Sequence, residues 1–441
     1  MLYHIFKQIW AQRKYNTWIF IELMLVFVLV WVLADYAFVI LHNKSISQGF
    51  DVKDTYRVTY DVFGKGTSRY NPTEDDSTMA MENLQLFVRK IKAYENVEEA
   101  ALTYMDWGSL PYSGGYNSTA VEIPDRSDST VAFAETKNVL SGEYFRLFRY
   151  TSAKDHSWER PAGIDLRRNN SVFITRMVER ELFGTASVIG KVVKVDIGEG
   201  PKDYVVADVL NDQKRFDYTL PHGAVFGASP LISEENLMNF GVCIRVKPGV
   251  PEDTFIRNFR KEMTRPLRIG NFYLKDIQSF KSLKQEIDYS FGVTNEMRTR
   301  AGLMIFFLLN IALGIIGTFW FRNETRRGEI GLRMAMGSTH ATLQWQFMTE
   351  ALLLFSIAVI PAIVIDYAIA RADVLKLDMD IIMDYETVKG SPYITQNASL
   401  RFLITNAMTY VFLSVIVALS AWIPARRVSR IHPVEALREN G

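Results

Sequence analysis

Apolar residues crowd into four blocks of the 441-residue chain, and between the first and second blocks they alternate with polar ones. The blocks run from about Trp18 to Leu41, Ala301 to Phe321, Phe347 to Ala370 and Phe402 to Ile423. Each reaches the roughly 20 apolar residues that a helix needs to cross a bilayer. The second and fourth carry no charge, and the third contains Pro361. The pattern predicts an α-helical membrane protein with four transmembrane helices. The first block exceeds the apolar core of a secretory signal, roughly 7–15 residues, and no small-x-small cleavage site follows it. It is expected to stay as an anchor.

Charge beside the blocks predicts their orientation, because short cytoplasmic segments collect Lys and Arg. Residues 1–17 carry Lys7, Arg13 and Lys14; residues 322–346 carry Arg322, Arg326, Arg327 and Arg333; residues 424–441 carry Arg426, Arg427, Arg430 and Arg438. These segments are expected in the cytoplasm with both termini. The outer loop 372–400 sets Lys376 and Lys389 against Asp373, Asp378, Asp380, Asp384 and Glu386. It is expected outside, as is the long stretch 42–300. Four acids, Glu22, Asp35, Glu350 and Asp366, fall within a turn or two of predicted span ends; an interfacial or helix-pairing role is expected, with a mechanistic role as the alternative. Gly314 and Gly317 offer close helix approach without GxxxG spacing.

The stretch 42–300 predicts an α+β extracytoplasmic domain inserted between the first and second spans. Thr55–Tyr60 alternates as a strand, and Leu84, Phe87, Val88 and Ile91 mark one helical face. A second strand is predicted at Glu99–Tyr104. Val242–Val246 alternates again, Phe255, Ile256, Phe259 and Met263 form a second helical face, and Asn271–Ile277 predicts a closing strand. Two βαβ-like parts, about 50–107 and 239–280, thus bracket a β-rich insertion, about 108–238, with one predicted helix over Arg176–Phe183. The domain boundaries follow: 1–41, 42–300, 301–423 and 424–441.

Composition narrows the function more than the fold. With 50 Lys+Arg against 49 Asp+Glu, the chain lacks the basic excess of a nucleic-acid binder. A mean hydropathy of +0.01 averages four apolar spans with a polar domain. The single cysteine, Cys243, excludes an intramolecular disulfide and a multi-cysteine metal site. His42, His156 and His222 lack metal-ligand spacing. Gly184 to Lys191 (GTASVIGK) only superficially resembles a phosphate loop, because its spacing is one residue too long and Val192 stands where Ser or Thr is needed. No catalytic residues, metal ligands or cofactor-binding residues are predicted, and the chain is expected to be no enzyme.

Three segments at the predicted cytoplasmic edge are distinctive. The first is Arg326-Arg327-Gly328-Glu329-Ile330-Gly331-Leu332-Arg333-Met334-Ala335-Met336-Gly337-Ser338-Thr339. The second is Gln346-Phe347-Met348-Thr349-Glu350-Ala351. The third is Pro424-Ala425-Arg426-Arg427-Val428-Ser429-Arg430-Ile431-His432-Pro433-Val434-Glu435-Ala436-Leu437-Arg438. In this order the trio resembles the signature of the FtsX/MacB-like ABC transporter permeases. The resemblance covers roughly 300–441; the outer stretch is similar only in layout. Ser338 stands where the family often has Ala, and the outer loop 372–400 is longer and more acidic than the family suggests.

The resemblance implies a non-catalytic permease subunit, in a homodimer or heterodimer, above a cytoplasmic ABC ATPase on a separate chain. ATP and Mg would bind that partner. A short coupling helix, about Gly328–Met336, would sit in a groove of the ATPase, and ATP-driven closure would move the spans and the outer domain. This mode is called mechanotransmission. The coupling residues are expected to be Arg326, Arg327, Glu329, Ile330, Gly331, Leu332, Arg333, Met334, Met336, Gly337 and Ser338. The arginines can hydrogen-bond carboxylates or carbonyls, and Ile330, Leu332, Met334 and Met336 are expected to form one apolar face. Gly337-Ser338 is expected to end that helix and cap the next. Without the resemblance, an amphipathic helix lying at the interface fits these residues equally well. Arg426, Arg427, Pro433 and Glu435 form a possible secondary contact, or the tail closes the bundle at the membrane surface.

The family implies a bacterial inner membrane, with the large domain periplasmic. Efflux or export with a periplasmic adaptor and outer-membrane channel is the leading expectation. The alternatives are regulation of cell-wall hydrolases, as in FtsX-like relatives, and lipoprotein release.

Overall fold

In a computed structural model, the described residues are 13–74, 76–105, 108–113, 115–124, 130–184, 187–230, 232, 236–325, 332, 334, 336–372 and 393–428. The chain divides into two compact units, Met1–Asn43 with Thr294–Gly441, and Lys44–Val293.

The second unit holds two β structures. Strands β1 (Thr55–Val62), β2 (Val97–Tyr104), β9 (Phe240–Val246) and β10 (Phe272–Ser279) form one sheet in the order β10-β1-β9-β2, with all neighbours antiparallel. The two βαβ-like parts therefore interleave in one sheet. Alternation explains the burial: Tyr56, Val58 and Tyr60 of β1 turn to one face with Val242, Ile244 and Val246 of β9. Against that face lie α2 (Ser77–Lys92), through Leu84, Phe87 and Ile91, and α6 (Glu252–Met263), through Phe255, Phe259 and Met263. Each fully buried phenylalanine here contributes about 1.5–3 kcal/mol. Asp76 caps α2 by accepting from the amides of Thr78 and Met79. The closing strand β10 starts one residue later and ends two later than expected, at Ser279, whose hydroxyl caps α7 (Phe280–Ser290).

Residues 117–228 close into a six-stranded barrel, β3-β4-β8-β5-β7-β6. Its strands are β3 (Asn117–Glu122), β4 (Val131–Val139), β5 (Ser171–Thr175), β6 (Val192–Asp196), β7 (Pro201–Leu210) and β8 (Ala224–Ala228). Two pairs are parallel, β4 with β8 and β5 with β7. Two short helices accompany the expected α5 (Arg176–Phe183): α3 (Glu143–Phe148) and α4 (Glu159–Ala162). At six and four residues they are too short for a periodic signal. In α3, Tyr144, Phe145, Leu147 and Phe148 are all buried. Gly184, at φ +68°, ends α5.

The first unit is helical: α1 (Arg13–Ser45), α8 (Val293–Thr325), α9 (His340–Arg371) and α10 (Ala398–Val428). All four are long and apolar enough to cross a membrane. Phe27 and Leu23 of α1, Leu354, Phe355 and Ala358 of α9, and Leu413 and Val417 of α10 share one core. The helices outrun the apolar blocks. α8 begins at Val293 rather than Ala301, and α10 continues past Pro424 to Val428, so the start of the predicted tail is helical.

Candidate functional site around the turn before α9

Of the expected coupling residues, Arg326, Arg327, Glu329, Ile330, Gly331 and Arg333 lie outside the described residues, as do Pro433 and Glu435. The side chain of Arg427 also falls outside them. Leu332, Met334, Met336, Gly337 and Ser338 are described, and they form the end of a helical turn. The amide of Met336 donates to the carbonyl of Leu332 at 3.0 Å, and that of Gly337 to the carbonyl of Met334 at 3.0 Å. Gly337 takes φ +98°, a left-handed conformation that glycine adopts without a Cβ penalty.

The expected single apolar face does not form. Leu332 and Met336 are exposed, at 52% and 72%, whereas Met334 turns inward onto Leu343 and Phe347 of α9 and Ala425 of α10. Helical period accounts for this, since positions four apart share a face and a position two away points to the other side. The cap differs as well. The residue that caps α9 is Thr339, not Ser338: its backbone is extended and its hydroxyl accepts from the amide of Thr342 at 3.2 Å.

The second motif continues inward along α9. Phe347, Glu350, Ala351 and Leu354 are buried at i, i+3, i+4 and i+7. Small Ala425, from the third motif, lies fully buried against Leu343 and Phe347. Arg426, one residue on, sets its guanidinium 5.1 Å from the centre of the Trp422 ring. One cluster thus joins all three motif segments, leaving Leu332 and Met336 as an exposed apolar pair.

Three of the four acids near the helix ends are buried inside the helical unit rather than left at its edge: Asp35, Glu350 and Asp366. Asp35 of α1 receives a forked contact from Arg401 of α10, with Nε at 2.9 Å. The half-buried Glu22 reaches over Gly314 of α8, where an added Cβ would sit 2.7 Å from its Oε1, whereas Gly317 has open space. Sequence periodicity could not show the Asp35–Arg401 pair, because 366 residues separate its members.

In the second unit, Glu135 of β4 is buried with His222, which contacts its carboxylate, and with Lys137, 3.8 Å away. Lys137 also donates to the Gly108 carbonyl at 2.7 Å, and Arg215 lies 4.1 Å from the Tyr116 ring centre. Burial alone would raise the Glu135 carboxyl, but Lys137, His222 and Arg215 together hold it at about 2. Burial pushes Lys137 down and the Cys243 thiol up to about 12. Among the described residues, no group of three or more His, Cys, Asp or Glu side chains could hold a metal.

The chain thus combines four helices long and apolar enough to cross a membrane, a large α+β unit between the first two in sequence, and a motif-bearing turn before the third. Residues 301–433 match the family described as FtsX-like permease C-terminal. Among curated relatives, it is 22% identical over 231 residues to a "Probable export ATP-binding/permease protein" of Pseudomonas fluorescens, covering 52% of this chain and 31% of that protein. It is 24% identical over 319 residues to the macrolide export ATP-binding/permease protein MacB of Salmonella paratyphi A, covering 70% of this chain and 44% of that protein. The chain therefore spans less than half the length of these two relatives. Among solved structures, the periplasmic region of MacB from Actinobacillus actinomycetemcomitans aligns with a TM-score of 0.29 at 11% identity, over 54% of this chain and 94% of that one.

Proposed function

We propose that the chain is the membrane subunit of an ABC exporter, relaying ATP-driven motion from a cytoplasmic ATPase on a partner chain to its extracytoplasmic domain. The observation that carries this reading is the convergence of the three motif segments through Met334, Leu343, Phe347 and Ala425. Leu332 and Met336, exposed beside that cluster, offer the apolar contact that an irregular groove accepts, methionine being the more adaptable. Seating the turn there would move α9 and α10 together, because Met334 links the turn to the ends of both. ATP and Mg belong to the partner, and a second copy of the chain or a related permease completes the assembly. The relatives' names favour export; the proposal adds a periplasmic adaptor and an outer-membrane channel as partners, and a bacterial inner membrane with both termini inside.

The test is reconstitution with the cognate ATPase in lipid. Deletion of 329–333, or Gly331→Asp, is expected to leave membrane insertion intact and to abolish ATP-linked function, and Leu332→Asp with Met336→Asp to reduce it at least tenfold. Normal ATP-linked function in the deletion variant would overturn the assignment.

A further inference from the structure

The seam between α1, α9 and α10 changes character along its length. Its middle is apolar, around Phe27, Phe355, Leu413 and Val417. Towards the end of α9 it turns polar. Trp31 Nε1 donates to Thr405 Oγ1 at 3.0 Å, and Asp35 pairs with Arg401. Asp366 lies in this stretch with no exposed surface, and neither of its carboxyl oxygens has a hydrogen-bond partner among the described residues. On α10, Asn406 Oδ1 is likewise buried without a donor, while its Nδ2 donates to the Phe402 carbonyl at 3.0 Å.

Two contacts bracket these orphans on the antiparallel helices. Ser356 Oγ meets Tyr410 OH at 2.9 Å, and the Tyr367 and Phe402 rings lie 5.9 Å apart. Asp366 falls between 356 and 367 on α9, and Asn406 between 402 and 410 on α10. An ionised carboxylate there, away from water, would be costly unless a cation paired with it. Among the described residues, two arginines of this unit are paired with other groups: Arg401 of α10 with Asp35 of α1, and Arg300 of α8 with Glu296 and the Tyr36 ring. On α9 itself, Glu350 lies four turns away and Arg371 is exposed.

We propose that Asp366 is a proton-binding site: it stands as a carboxylic acid whose O–H donates to Oδ1 of Asn406, tying α9 to α10. One proton then satisfies two buried groups that would otherwise repel. Its loss would leave an unpaired charge in the seam, so the α9–α10 contact depends on that proton.

The test is infrared spectroscopy of the full chain in lipid nanodiscs at neutral pH. The wild type should show a protonated-carboxyl stretching band that shifts down in heavy water and is absent in Asp366→Asn. That variant keeps a donor to Asn406 and is expected to fold. In Asn406→Ala, the band should persist and move to higher frequency as its hydrogen bond is lost. Identical carboxylic-acid spectra for wild type and Asp366→Asn would overturn the proton site. A band unmoved by Asn406→Ala would overturn the tie.

Discussion

The two units bury charge in opposite ways. In the α+β unit, Glu135 is enclosed by His222, Lys137 and Arg215, so a single acid answers several buried donors. In the helical unit, Asp35 has one forked partner, Arg401, and Asp366 has none among the described residues. Glu135 lies on the side of β4 opposite the barrel core, where distant loops pack over the strand and surround the carboxylate from several sides. A helical seam presents one row of side chains per helix, and its buried acids must find a partner directly across or hold a proton. Buried charge therefore gives the barrel site a fixed structure and leaves the helical seam open to protonation.

The sharpest way to break this comparison is Glu135→Leu. It would leave Lys137 and Arg215 buried without the Glu135 charge, a change expected to cost about 3–5 kcal/mol, read by denaturant unfolding of the α+β unit in the intact chain. A cost under about 1 kcal/mol, the scale of an exposed ion pair, would show that the cluster does not depend on its acid. The same site sets an acid limit. The carboxyl sits at about 2 against an ordinary 4.5, so the unfolded chain takes up the proton first. The contribution of Glu135 is complete above about 4.5, falls as pH drops and is gone below about 2. Glu135→Gln should flatten that part of the stability profile.

A smaller effect tests the helical side. Asp35→Asn and Arg401→Leu should each cost about 1.5–3 kcal/mol, the range of a charge-assisted hydrogen bond. The double variant should cost little more than either alone, because both remove one interaction. Additive losses in the thermal unfolding of the full chain would show that the two residues act independently.

What could be read from the sequence follows from distance along the chain. Alternation over Thr55–Tyr60 and the spacing of Leu84, Phe87 and Ile91 are local signals, and β1 and α2 stand where they predict. The order β10-β1-β9-β2 is not local, because β9 enters between strands that precede it by over a hundred residues. Glu135 and His222, 87 residues apart, were invisible for the same reason. The motifs before α9 were conspicuous as sequence, yet their geometry was misread. Leu332 and Met336 share a face that Met334 does not, because of the 3.6-residue period. Asp366 is fully buried, and nothing in the helix that carries it announces this.

The smallest expected effect resolves which residue starts α9, on the side of the molecule where motion is proposed to enter. Ser338 and Thr339 are adjacent hydroxyl residues, and either could cap by composition alone. The extended backbone of Thr339 aims its Oγ1 at the Thr342 amide, 3.2 Å away, satisfying one of the donors that a helix start leaves unpaired. Thr339→Ala should therefore cost about 1 kcal/mol, and Ser338→Ala close to nothing. Amide hydrogen exchange at Thr342 is the direct readout. It should accelerate roughly fivefold in Thr339→Ala, as about 1 kcal/mol implies, and stay unchanged in Ser338→Ala. The reverse pattern would move the helix start one residue back and place Gly337 directly before the cap. The left-handed turn at Gly337 and the first turn of α9 would then share no intervening residue, and the exposed pair Leu332 and Met336 would be held more rigidly to α9 than the present cap allows.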